Sequence, residues 1–353
     1  MPEALRDSRS RRLWTALLLA LLLGACAREQ PVYQNRLLVF GSFVDLTLYG
    51  VTEAEGAQAS RLLLQQMSRQ QRDWSPREDG ELARLNAALA AGETMEVSAE
   101  MLELLSRGQR FFAATDGLLN PAIGRLIDLW GFGRSDQEPP RRPPEPAAIR
   151  QVVEAAPRMT DLRLEGRSVR SVNPAVKLDF GALAEAVAAE SAVATLRSLG
   201  IENAIINMSG DIKVIGRRGD RNWRVGIRNP RGEGILAAVE LADGESVFTS
   251  GDYERFFEYE GRRYHHILDP RTGYPSEGLV SVTVIHDDPA VANAGTTAML
   301  VAGPERWPET ARALGIDQVM AIDRDGLVHL TPAMARRLTF LAEPPPPTRI
   351  HTP

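Results

Sequence analysis

Cysteine is almost absent from this chain of 353 residues, with Cys26 the single example. One thiol cannot make an intrachain disulfide or a cysteine-based metal cluster. There is also no long basic run. The 41 basic and 46 acidic residues leave a formal charge of −5, which argues against a nucleic-acid partner gripped through its phosphates. No G-x-G-x-x-G opens a helix after a strand and no Walker sequence occurs, so two common nucleotide-binding folds are set aside. No solenoid repeat is visible. What remains is ordinary globular composition, 44 % apolar and 25 % charged, in a chain long enough for one large domain or two ordinary ones.

The first 25 residues read as an export signal. Arg6, Arg9, Arg11 and Arg12 form a basic start, and an apolar stretch runs from Leu13 to Leu23. That stretch is shorter than the roughly 20 apolar residues of a permanent membrane span. Leu23-Gly24-Ala25-Cys26 follows and looks like a bacterial lipobox, in which Cys26 is lipidated and becomes the mature N-terminus. An ordinary signal peptide with an incidental cysteine fits less well, because the sole cysteine falls at the position a lipobox requires. The expected organisation is a lipoprotein signal over 1–25, a tether over 26–36, one domain over 37–342 and a Pro-rich, unpacked tail over 343–353. The expected address is the periplasmic side of a bacterial membrane, held by the lipid. The inner membrane is preferred, but Ala27 stands where an inner-membrane retention signal usually has Asp, so sorting stays open.

Helical periodicity marks Leu62, Leu63 and Met67, then Met101 to Phe112 behind Ser98 as N-cap. It also marks Leu183 to Leu196, closed by Gly200, and Val291 to Val301. Strand patterns cover Leu37–Tyr49, Val176–Phe180, Ala204–Met208, Ile212–Ile215, Trp223–Ile227, Ile235–Leu241, Tyr264–Leu268 and Val280–Ile285. Hairpins are expected at 162–169 and 322–328. The Pro-rich stretch 138–146 reads as an extended surface loop. Strands arrive in runs rather than alternating with helices. The expected class is therefore α+β, with mixed, largely antiparallel sheets and packed helices.

Five segments are dense in chemistry. Leu178-Asp-Phe-Gly-Ala-Leu-Ala184 ends a buried run in a carboxylate and opens a helix. Its free N–H groups suit a phosphate, or Asp179 merely stabilises the helix start. Asn207-Met-Ser-Gly-Asp211 is a tight turn, which by itself decides nothing. Thr249-Ser-Gly-Asp-Tyr-Glu-Arg255 has more polar groups than a connecting loop needs. In Tyr264-His-His-Ile-Leu-Asp-Pro-Arg-Thr-Gly-Tyr-Pro275 the paired histidines sit on opposite strand faces. One ring is expected inward, and an inward histidine is more often a satisfied core residue than a catalyst. In Ala292-Asn-Ala-Gly-Thr-Thr-Ala-Met-Leu300, Asn293 and Thr297 share a helical face. They could meet a hard cation or a phosphate, or the small residues could simply serve a close helix–sheet fit.

Taken in order, these segments resemble the ApbE-type FAD:protein FMN transferases. The resemblance runs from about Phe40 to Gly303. It includes Phe40-Gly-Ser42, the stretch from Trp74 to Asn86, Thr115 to Gly124 and Leu129-Trp-Gly-Phe-Gly133. His265-His-Ile-Leu-Asp-Pro-Arg-Thr-Gly273 is nearly intact.

The family likeness implies that FAD is split at its pyrophosphate. FMN then passes to a Thr or Ser hydroxyl of an exported or membrane flavoprotein, and AMP leaves. It implies Mg2+ held by the Ala182 carbonyl, Asn293 and Thr297. It implies FAD contacts from Phe40, Trp74, Leu118, Leu119, Asn120, Asp179, Glu185 and Ile267, and proton transfer by His266. Three positions depart from the family pattern: Asn120 and Asn293 replace Asp, and Glu185 replaces Lys. They raise the alternative of a relative that binds FAD or another nucleotide without transferring it.

Overall fold

The computed structural model describes residues 30–77, 79–132 and 142–352. The lipidation expected at Cys26, the export signal, and part of the Pro-rich stretch lie outside these residues. So does Gly133.

A nine-stranded sheet organises the molecule. Its spatial order is Val32–Val39, Ser42–Tyr49, Ala204–Met208, Asp211–Ile215, Ser246–Gly251, Leu279–His286, Val319–Asp323, Val328–Leu330 and Thr348–Ile350. All neighbouring pairs are antiparallel except the last, which is parallel. The α+β class with largely antiparallel sheets is thus what the chain adopts.

Helices cover one face of the sheet. Glu53–Trp74, Ala184–Ser198 and Pro289–Ala313 pack there and against one another, and they bury a continuous core that includes Leu46, Leu63, Met67 and Phe248. Their starts are specified locally. Thr52 and Glu55 form a reciprocal capping box on the first helix, and Asp288 caps the third. Ser98 caps Ala99–Ala114, as the sequence predicts. The other sheet face carries a second core, shared with a small sheet of Trp223–Arg228, Ile235–Leu241 and Thr339–Phe340.

Several expectations are corrected. Leu37–Tyr49 is not one strand but a hairpin, turning at Phe40 (φ 57°) and Gly41 (φ 68°). Its first strand begins at Val32, so residues 32–36 of the expected tether belong to the sheet. Tyr33 and Leu37 are buried while their neighbours are exposed. That alternation is present in the sequence, but the polar residues between them hide it. The segment expected as strand Val176–Phe180 makes strand-like bonds without a strand partner. Gly124 N–H donates to the Lys177 carbonyl and Asp179 N–H to the Pro121 carbonyl, so a loop stands in for the neighbour. A side chain at Gly124 would collide with the Lys177 carbonyl at 2.7 Å, which is why this approach needs glycine. The strand expected over Tyr264–Leu268 ends at His265. Pro146 does not continue an extended loop but opens the helix Pro146–Glu154, where proline at the first turn is compatible with helix.

The tail expected to stay unpacked is instead tied to the sheet edge, although its strand residues remain exposed. Thr348–Ile350 pairs with Val328–Leu330, His351 bonds His329, and its ring meets Trp307 edge-on at 5.3 Å. The run of prolines only bridges the gap between the preceding chain and this strand.

Candidate active site

Two of the sequence motifs are packed onto each other by one aromatic cluster. Trp130 is fully buried. It contacts Phe132, Phe257, Tyr264 and Tyr274, and its indole N–H donates to the Gly273 carbonyl at 2.7 Å. The Trp-Gly-Phe segment therefore clamps the loop Asp269–Gly273 from behind. Within the loop, Arg271 forms a double ion pair with Asp269 and donates to the Val301 carbonyl, which ties it to the long helix. Phe132 also presents its ring to His266.

The histidine pair divides into one structural and one free ring. His265 is buried, and both of its nitrogens are used: Nε2 donates to the Ser276 carbonyl at 2.9 Å and Nδ1 accepts from the Ile267 N–H. His266 lies just past the strand with Nδ1 at 3.3 Å from the Arg255 carbonyl. A carbonyl can only accept, so this contact assigns the proton to Nδ1 and leaves the Nε2 lone pair free. Loss of water, then the Arg255 charge and His265, hold His266 well below the usual histidine range. It is neutral at neutral pH.

Arg255, whose charge acts on His266, also acts on a buried carboxyl. Glu185 is in the first turn of Ala184–Ser198. Its carboxyl is pushed up to about 7 by loss of water, with Glu254 adding repulsion and Arg255 opposing it. Asp211 is held well above the carboxylate range by burial, although the Thr249 N–H donates to it at 2.9 Å; Glu185 and Glu254 add to the rise. Glu185 thus faces an arginine as well as acids, so the departure from lysine is not a bare reversal of charge. Among the described residues no group of three His, Cys, Asp or Glu side chains converges at metal-binding geometry.

Asn293 is buried, and Thr297 lies one turn further along the helix Pro289–Ala313. Ser250, from the central sheet, reaches this face with its hydroxyl 2.9 Å from that of Thr296 and 3.4 Å from that of Thr297. Among the described residues no backbone N–H donates to the Ala182 carbonyl, whereas the nearby Phe180 carbonyl accepts from Leu183 and Ala184 and the Leu183 carbonyl accepts from Val187. Beyond Gly303 (φ 80°) and Pro304 the helix breaks, so the face bearing Asn293 and Thr297 belongs to the segment before the kink.

The remaining predicted contacts separate into two kinds. Trp74, Leu118, Leu119 and Ile267 are core residues below 8 % exposure, and half-buried Phe40 packs against the same core. The four core residues therefore present little side-chain surface to a ligand. Asp179 stands at the helix entrance, accepting from the Gly181 N–H and pairing with Arg77 at 3.0 Å. Asn120 is committed to the backbone: its amide donates to the Pro157 carbonyl at 2.8 Å and its oxygen accepts from the Ala122 N–H. A carboxylate could not make the first of these bonds, so asparagine has a local reason to be here.

Sequence reasoning did not single out Asn86, Ser250 or Arg255 as site residues. Asn86 both donates to and accepts from the Leu178 backbone and so fixes the approach to Asp179. All three lie within the motif-bearing segments, where the excess of polar groups is the signal. Among the described residues, one surface cavity of about 580 Å3 lies beside Arg271, Ser276 and Gly303 and another of about 390 Å3 beside Arg84 and Arg167. Neither is lined by His266, Glu185 or Asn293.

Comparison with known proteins gives one answer by sequence and by structure. A FAD:protein FMN transferase of Rhodobacter capsulatus is 41 % identical over 308 residues, 87 % of this chain and 58 % of that protein. The chain thus spans under two thirds of that relative. A Haemophilus influenzae FAD:protein FMN transferase is 26 % identical and matched over 93 % of this chain and 97 % of its own length. The crystal structure of an ApbE protein from Thermotoga maritima superposes with a TM-score of 0.79 at 28 % identity, covering 87 % of this chain and 99 % of the other. The sequence profile of the ApbE family matches residues 40–320, a range that begins at the Phe40 turn and takes in every site residue described above. With the motif order, the fold and the profile in agreement, this chain belongs to the ApbE family.

Proposed function

We propose that this protein is a FAD:protein FMN transferase. It cleaves FAD at the pyrophosphate and joins FMN by a phosphoester to a Thr or Ser hydroxyl of an exported or membrane flavoprotein, with AMP as leaving group. The observation that carries the reading is His266: a neutral ring with Nδ1 turned to the Arg255 carbonyl and Nε2 unclaimed among the described residues. That is the state a general base needs to take the proton from an attacking hydroxyl. The Trp130 clamp on Gly273 and the saturated His265 hold the neighbouring loop and strand end in place. Names of the relatives support the same activity.

Mg2+ fits the donors available, which are hard oxygens: the Ala182 carbonyl, Asn293 and Thr297, with carboxylate charge from Glu185 beyond them. Such an ion would neutralise charge developing on the transferred phosphate. Asp179 and the positive end of the helix Ala184–Ser198 face the polar part of FAD, and the core edges of Trp74, Leu118, Leu119 and Ile267 support its rings. The amide at Asn120 has a structural explanation, so it does not speak for a site that binds without transfer. Membrane attachment through lipidated Cys26, at the periplasmic side, completes the reading.

The test is mass spectrometry of an exported flavoprotein bearing a Ser/Thr flavinylation motif, after incubation with the detergent-solubilised full chain, FAD and Mg2+. Addition of one FMN mass is expected. An unmodified acceptor in the presence of bound FAD would leave only the binding role.

A further inference from the structure

A transferase whose second substrate is a folded protein needs a surface beside the reacting groups on which that protein can rest. The first hairpin offers one. Along Val32–Val39 and Ser42–Tyr49 the inward residues Tyr33, Leu37, Val39, Val44, Leu46 and Leu48 are buried in the main core. The outward face of the same hairpin carries Leu38 at 68 % exposure and Phe43 at 52 %. These two are direct cross-strand partners, and Arg36 lies over the Phe43 ring at 5.2 Å. Leu38 is the most exposed large apolar residue described. The small second sheet shields the outer face only further along, where Tyr49 and Ile205 join the second core.

This patch is continuous with the site. Between Leu38 and Phe43 the chain turns through Phe40, whose N–H donates to Gln71 on the helix that ends at Trp74. Ser42 and Ser209 share a hydroxyl–hydroxyl bond, and Ser209 also donates to the Phe43 carbonyl. Ser209 belongs to the turn that leads into Asp211, the carboxylate that feels Glu185 and Glu254. Asp211 in turn accepts from the Thr249 N–H, next to Ser250 and its contacts with the Asn293–Thr297 helix, so the hairpin tip borders the candidate site. Two large side chains offer a few hundred Å2 at most, far below the roughly 1,200–2,000 Å2 of a stable dimer. An area of that size suits a substrate that must dock, react and leave.

We propose that the Leu38–Phe43 face is the docking surface for the acceptor flavoprotein, contacting an apolar segment next to its target hydroxyl. This rests on the transferase reading. The test compares the wild-type chain with Leu38→Ser/Phe43→Ser, both full length and in detergent, using an exported flavoprotein purified without its FMN. Because both side chains are exposed, the variant should melt within a few degrees of wild type. FAD affinity and kcat at saturating acceptor should change less than about twofold, while KM for the acceptor rises about tenfold or more. An unchanged KM overturns the docking assignment. A parallel loss of FAD affinity also overturns it and makes the tip part of the flavin wall. A defect present only with phosphatidylethanolamine–phosphatidylglycerol vesicles assigns the face to the membrane instead. Absence of FMN transfer by the wild type overturns the transferase reading, and this proposal with it.

Discussion

Two places on the same nine-stranded sheet treat titratable groups in opposite ways. At the C-terminal edge, Asp323, His329 and His351 form a chain of hydrogen bonds at 2.9 Å each. Burial works against the Asp323 charge. The bond from His329 and the N–H groups of Leu327 and Asp325 outweigh it and hold the carboxyl below its ordinary value. Near the middle of the sheet, Glu185 and Asp211 lose water without gaining enough partners, and both are pushed up. The edge cluster completes its own bonding and fastens a strand. The central cluster is left wanting positive charge, which is how a site looks when its ligand is to supply what the protein withholds.

The sharpest way to break this contrast is to remove the free ring. His266→Ala should lower FMN transfer by about 10²–10⁴-fold, the usual scale for a general base, with FAD affinity nearly unchanged. Because His266 sits well below the ordinary histidine value, it stays unprotonated into mildly acidic solution. Wild-type transfer should therefore not fall between pH 7.5 and about 6.5 for want of base. Equal loss of binding and turnover in the variant would make His266 structural like its neighbour. Trp130→Ala removes a fully buried indole and the bond to Gly273. It should cost about 3–5 kcal/mol in urea unfolding and loosen the loop beside His266, so transfer should fall together with stability.

How legible these regions were in the sequence also differs. The central helices and most strands follow from period and caps, because burial on one face forces the pattern. The partners of Leu178 could not be read, since a loop and the Asn86 side chain take the place of a strand. The division of labour between His265 and His266 was visible only as a rule that one ring faces inward. Which ring was saturated depended on Ser276 and Arg255, each 11 residues away. The attached tail was illegible for the opposite reason. Four prolines announce a chain that does not fold locally, and the pairing that captures Thr348–Ile350 comes from a distant strand.

Glu185 gives the next largest effect. Its folded value near 7 lies above the 4.5 of an exposed glutamate, so the folded protein binds this proton more tightly than the unfolded chain. The resulting stabilisation is complete below about pH 4.5 and is lost as pH rises through 7. Glu185→Gln abolishes the titration. It should therefore raise unfolding stability relative to wild type by up to about 3 kcal/mol at pH 8 and by much less at pH 5. A variant no more stable at pH 8 would mean that Arg255 already satisfies the carboxylate. Asn293→Asp acts on the same deficit from the cation side. A carboxylate binds a hard dication more strongly than an amide, so the Mg2+ concentration for half-maximal transfer should fall by about tenfold, as read from a titration at fixed FAD. An unchanged requirement would remove Asn293 from the cation's ligands.

The smallest effect is expected at the satisfied edge. His351 is joined to His329 and rests against Trp307. Burial, then His329 and Arg349, keep it below the ordinary histidine value. With the folded value depressed, protonation favours the unfolded or detached tail, and the clamp weakens as pH falls below about 6.5. His351→Ala deletes one hydrogen bond and one edge-on ring contact, so it should cost about 1 kcal/mol at pH 8. The difference from wild type should shrink at pH 5.5, where the wild-type clamp is already weakened. Amide hydrogen exchange over Thr348–Ile350 reads this directly: exchange should quicken in the variant at pH 8, after correction for the intrinsic rate, while FMN transfer stays at the wild-type level. A transfer defect in His351→Ala would show that the two regions are coupled through the sheet, and the contrast between a self-satisfied edge and a ligand-dependent centre would fail.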